Sequence, residues 1–230
     1  VDDDGDYAVD RLDGECDAPV DGGEQGLGDA NLAKLMAKCQ KTTAKSGAAF
    51  VGAMQKQLHA CAGAVLQCLE VKAADAGCLP KAVVKCGKAS AKIDALASKL
   101  SSAMGKSCRL MPDVESLALQ GFGYGAESVD CLRFGVTLQT GSDIGECIVR
   151  QHRCRTQQLV SAENARAVEL AKLGQLDLSS GFACLEPGAD GNQAGLGDPV
   201  RGKAVGKGQQ AIAKAGVAYT PRRQSEVAKC

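Results

Sequence analysis

The chain has no Trp, and aromatic residues make up only 3% of its 230 positions. Few rings are left to stack on bases or sugars. Lys+Arg and Asp+Glu both number 27, so no excess of positive charge draws the chain to nucleic acid or an anionic membrane. No apolar run approaches the ~18–20 residues of a membrane span, and the residues from Val1 onward do not read as a signal peptide. The expectation is a soluble, mature, globular chain with no nucleic-acid partner and no membrane span. Its cysteines never fall in CxxC or CxxCH spacing, which excludes zinc knuckles, thioredoxin-like motifs and ordinary haem attachment.

Cysteine itself is abundant, with 12 residues from Cys16 to Cys230. An even count at this density reads as a disulfide framework formed in an oxidising compartment. A core poor in rings and rich in Ala and Gly needs such cross-links, each worth roughly 2–4 kcal/mol.

From Asn31 to Leu69 one apolar stripe recurs at spacings of three, four and seven: Leu32, Met36, Cys39, Thr43, Phe50, Met54, Leu58, Cys61, Val65 and Cys68. That period predicts a helix. Leu79 to Cys108 repeats it through Val83, Cys86, Ile93, Leu96, Leu100 and Met104. The short connection from Glu70 to Gly77 makes the two helices antiparallel. Cysteines seven apart on one helix stand about 10.5 Å apart along the axis, beyond the ~7 Å reach of a disulfide. Cys39 and Cys61 are separated by 22 residues, as are Cys86 and Cys108. Equal spacing on antiparallel helices puts both pairs at matching heights. The prediction is a nested ladder, Cys39–Cys108, Cys61–Cys86 and Cys68–Cys78, whose residue numbers sum to 147, 147 and 146.

Residues 2–13 read DDDGDYAVDRLD. Asp2, Asp4, Asp6, Asp10 and Asp13 fall at positions 1, 3, 5, 9 and 12, with the Ala8 carbonyl at position 7. Hard oxygens at this spacing suit Ca²⁺. The segment resembles the calcium loops of EF-hands, dockerins and thrombospondin type 3 repeats, over about 15 residues. It departs from them at Tyr7, where Gly is usual, and at Asp13, where an EF-hand has Glu. Calcium is the one cofactor expected, against a solvated acidic tail as the alternative.

Residues 26–61 align without gaps to residues 195–230 at an offset of 169. GLGD occurs in both, and Lys34, Lys38, Gln40, Lys45, Gly47, Ala49, Gln55 and Cys61 match Lys203, Lys207, Gln209, Lys214, Gly216, Ala218, Gln224 and Cys230. Phe50 matches Tyr219, whereas Gly208 stands where Cys39 did. The tail therefore copies the first hairpin helix, starting at Asp198 and Pro199, with Pro221 expected to kink or end it. The sequence stops before a second hairpin helix, so the copy must pack on its own chain or on a neighbouring subunit. Residues 1–25 carry ten acids and one Arg, while residues 192–230 carry seven Lys/Arg against two acids. An acidic head and a basic tail favour head-to-tail association, with the 192–230 helix docking on an adjacent subunit, a contact that propagates into rings or filaments.

The middle of the chain reads as shorter helices: Pro112 to Gln120, then one capped by Ser142 and Asp143 through Cys147, Cys154 and Leu159. A segment from Ser161 or Ala162 to Leu173 continues or restarts it, ending at Gly174. Cys131 takes either Cys147 or Cys154, and Cys16, Cys184 and Cys230 compete for the rest. The organisation expected is an acidic segment (1–25), a stapled hairpin (26–110), a smaller Cys-containing region (111–191) and the repeat helix (192–230). The fold class is all-α. The glycines of GFGYG and GLGD lack the strand–loop–helix context of a nucleotide site. His59 and His152 have no ligand or triad partners in the sequence, and the row Lys34, Lys38, Lys41, Lys45 reads as a solvated face.

KCQKTTAKSG, HACAGAVLQCLE, CLPKAVVKCGKASAKIDALASKL and ECIVRQHRC resemble segments of Cys-rich, Lys/Ala-rich helical proteins secreted by deltaproteobacteria, over about half the chain. That group has no established activity, so the resemblance implies export alone. The expected function is a secreted, extracellular or cell-surface structural protein, not an enzyme, whose partners are copies of itself. The alternative is a monomeric extracellular module that binds an apolar ligand or a protein between its helices.

Overall fold

Asp29 opens the first helix by accepting hydrogen bonds from the backbone N–H groups of Asn31 and Leu32, at 2.7 and 3.2 Å. From there α1 runs 41 residues, Ala30–Glu70. The computed structural model describes residues 29–109 and 123–227. The calcium-loop residues, Cys16, Cys230 and the helix expected at Pro112–Gln120 lie outside them. The other helices are α2 (Cys78–Cys108), α3 (Ser128–Arg133), α4 (Gly141–Glu163), α5 (Ala167–Leu173) and α6 (Pro199–Val227). A 3-10 turn at Tyr124–Glu127 precedes α3. No strand occurs among the described residues. The chain is all-α.

The hairpin is stapled as the matched spacings require. Cys39 bonds Cys108, Cys61 bonds Cys86 and Cys68 bonds Cys78, with Cα separations of 4.9, 4.7 and 5.5 Å. Two further bridges resolve pairings that spacing left open: Cys131 takes Cys147, and Cys154 takes Cys184. The second of these draws the loop after α5 onto α4.

Phe50, Met54 and Leu58 of the α1 stripe share one core with Ile93, Leu100 and Met104 of α2, and Cys61, Val65 and Cys68 share a second with Ala82, Cys86 and Ala89. α1 also buries a second face, including Gly47, Val51, Gln55, Ala62 and Leu66, because α4, α5 and α6 pack there. It is the central helix. Phe50 and Met54 are almost wholly enclosed, each worth about 1.5–3 kcal/mol of burial.

Local chemistry settles the helix boundaries in three places. Thr140, not Ser142, precedes the first turn of α4, and the Asp143 carboxylate accepts from the Thr140 N–H at 2.7 Å in a capping box. Of the two courses expected after α4 the chain takes the restart: it breaks after Glu163 and resumes as α5, which ends at Gly174 as expected. There a Cβ would lie 2.7 Å from Cys86 Sγ, so only glycine lets the turn rest on the Cys61–Cys86 bridge. Finally, Pro221 does not end α6, which continues to Val227. Its ring packs over Gly52, and the Thr220 hydroxyl adds a bond to the Gly216 carbonyl at 3.1 Å.

The tail helix, expected to dock on an adjacent subunit, packs instead on its own chain. α6 lies antiparallel along α1, with Gly202 against the backbone of Glu70 at one end and Pro221 against Gly52 at the other. The correspondence of the copies extends to their caps. Asp198 accepts from the N–H groups of Val200 and Arg201 at 2.8 and 3.3 Å, as Asp29 does from Asn31 and Leu32.

Candidate interaction surfaces around the repeated helix

Two polar clusters seat α6. At one end Arg166 binds Glu169 through Nε and Nη2, at 2.7 and 2.8 Å, and Glu70 through Nη1 at 3.0 Å. Glu169 also accepts from the backbone of Gly191 and Gln193, and Glu70 from that of Leu196. The guanidinium holds the Glu169 carboxyl down to about 2, and Glu169 in turn raises Arg166. This clasp pins the loop before α6 to the C-terminal end of α1. Near the other end, the fully buried Gln55 donates to Glu163 at 2.7 Å, and the second Glu163 oxygen lies 2.5 Å from His59 Nε2. A Cβ on Gly216 would collide with the Glu163 carboxylate. The matching residue of the first copy, Gly47, meets the same helix α4: its Cβ would lie 2.6 Å from His152 Nε2. Burial lowers the His152 pKa, keeping the ring neutral.

These contacts assign the two histidines. His59 joins α1 to α4, and His152 fills the space that Gly47 leaves. Asp143 caps α4 nine residues before His152, about 13.5 Å along the axis, so Ser142, Asp143 and His152 do not form one group. No cluster of three or more His, Cys, Asp or Glu side chains suited to a metal occurs among the described residues. No helix there is long and apolar enough to cross a membrane.

The first surface is the outer stripe of α6. Of eight large apolar side chains exposed among the described residues, five are Leu196, Val200, Val205, Ile212 and Tyr219. Val205, Ile212 and Tyr219 recur every seven residues, with Gly208 and Ala215 between them, a coiled-coil-like seam. Their exposures are 39, 46 and 63%. The matching α1 residues are Met36, Thr43 and Phe50, and Phe50 is only 2% exposed because α2 covers it. Toward α1, α6 presents mainly small and polar residues, Gly202, Gly206, Gln209, Ala213 and Gly216, with Val217 the larger apolar exception.

The second surface is a groove of about 840 Å³ between α1 and α6. Ala60, Gly63, Ala64 and Val217 form part of its apolar lining, and Lys56, Lys85, Lys203, Lys207 and Lys214 also line it. All five lysines are exposed. Among the described residues Glu70 is the sole acid lining the groove, 5% exposed and bound to Arg166. Repetition of the lysine row was legible in the sequence, but the groove was not, since it arises from the antiparallel seating of α6. No protein-family model, curated protein or solved structure matches the chain.

Proposed function

We propose that the protein is a secreted, non-enzymatic structural subunit that associates head to tail with copies of itself, in an extracellular filament or surface assembly. One observation carries this reading: Val205, Ile212 and Tyr219 on α6 face solvent, whereas their counterparts on α1 are half-buried at Met36 and Thr43 and fully covered at Phe50. A contiguous apolar row on a helix exterior marks an interaction site. Five disulfides among the described residues suit an oxidising extracellular setting and a durable subunit. Calcium held by Asp2, Asp4, Asp6, the Ala8 carbonyl, Asp10 and Asp13 would order the acidic segment. Chelation should then lower the melting temperature, and an unchanged transition would remove calcium from the account.

The test of assembly is imaging of concentrated protein beside an Ile212→Asp variant. Ordered oligomers or filaments are expected from the parent and not from the variant. Monodisperse single particles from both would instead support the second reading, a monomeric binding module. That reading draws on the groove, whose volume falls in the usual range of ligand sites.

A further inference from the structure

We infer that the lysine-lined groove between α1 and α6 receives the acidic N-terminal segment, residues 1–25, of a second copy. The inference rests on the self-association reading and names its head-to-tail contact. Charge complementarity argues for this occupant. Residues 1–25 carry ten carboxylates and one Arg. The groove has five exposed lysines, none of them in an ion pair with an acid among the described residues. Its own acid, Glu70, is already bound by Arg166. Ala and Gly keep the floor shallow enough for a backbone to approach the lysines.

Chain length argues for a second copy over the segment's own groove. Asp29 and Lys56 are separated by 27 residues of α1, about 40 Å at 1.5 Å per residue. Lys203 follows Gly202, which abuts Glu70, about 60 Å from Asp29 by the same measure. A chain extends at most about 3.5 Å per residue. In their own copy Asp21 and Glu24 therefore fall short of Lys56, and Glu15 and Asp17 fall short of Lys203. A neighbour's segment escapes that limit, and Glu15, Asp17, Asp21 and Glu24, which lie outside the calcium set, reach the whole lysine row. Because the start of one α1 then lies over the end of the next, the contact is heterologous and propagates.

The test is zero-length carbodiimide coupling, which joins carboxylates to amines, on an equal mixture of ¹⁴N- and ¹⁵N-labelled full chains. It is run in chelator and low salt, with sedimentation followed in parallel. Expected are linked peptides of mixed isotope joining residues 1–25 to Lys56, Lys203, Lys207 or Lys214. A variant with Lys203→Glu, Lys207→Glu and Lys214→Glu, all exposed positions, should lose mixed links to Lys56 several-fold. Links confined to one isotope overturn the second copy. Mixed links found instead at Lys34, Lys38 and Lys45, the same row on α1, overturn the groove. Association without groove links defeats this inference alone, whereas a monomer at every concentration defeats the self-association reading beneath it.

Discussion

α1 and α6 descend from one sequence pattern and share their caps, their lysine row and their glycine contact with α4, yet they do different work. α1 sits at the centre of the fold, bridged three times to or beside α2 and covered by α4, α5 and α6. α6 has Gly208 in place of the first bridging cysteine and touches α1 mainly through small and polar residues. Its apolar stripe remains outside. Duplication thus preserved the pattern, while neighbours decided which side of each copy became core.

The contrast is sharpest at Phe50 and Tyr219, the same position in the two copies. Phe50→Ala should cost about 3–5 kcal/mol through the cavity it leaves. Tyr219→Ala should change monomer stability by less than about 0.5 kcal/mol, as an exposed substitution does. Chemical denaturation at low protein concentration measures both, and equal costs would erase the distinction between core face and open face. Removing the bridge that α6 lacks, with Cys39→Ser and Cys108→Ser, should cost roughly 2–4 kcal/mol in the same assay. A loss near zero would mean that the bridge is not what makes α1 the rigid member. Gly216→Ala tests the shared contact with α4. The added methyl meets the Glu163 carboxylate, and overpacking of this kind costs about 1–3 kcal/mol. A neutral substitution would show that α6 is not held against α4.

The smallest effect lies in the clasp that seats α6. Glu169 has its folded pKa depressed from 4.5 to about 2, so its stabilisation is present above 4.5 and is lost as pH falls toward 2. At pH 4 the loss is still under about 1 kcal/mol. His152, also depressed, resists protonation in the fold, so stability begins to decline below about 6.5. Melting from pH 7 to 3 should fall in these two stages, and Glu169→Gln should shrink the lower one. A stability that rises on acidification would contradict both assignments.

Most of the hairpin was legible because its determinants are local and periodic. Antiparallel helices with cysteines at equal intervals admit one ladder, and the repeat located the start of α6 at its capping aspartate. The middle bridges were not legible, since Cys154–Cys184 depends on how the loop after α5 folds back. Nor were the buried Glu70 and Gln55 and the half-buried Glu163, which look like ordinary surface residues of long helices until α6 packs beside them. Whether Pro221 would kink or end α6 stayed open in the sequence: a proline forbids one backbone hydrogen bond, and the helix continues past it to Val227.

The account turns on the open stripe of α6, and sedimentation velocity across a wide concentration range addresses it most directly. The parent chain should show a sedimentation coefficient that climbs with concentration, while a chain carrying Ile212→Asp and Tyr219→Asp should stay monomeric with an unchanged melting temperature. A parent that remains monomeric throughout, or a variant that associates just as strongly, would contradict it.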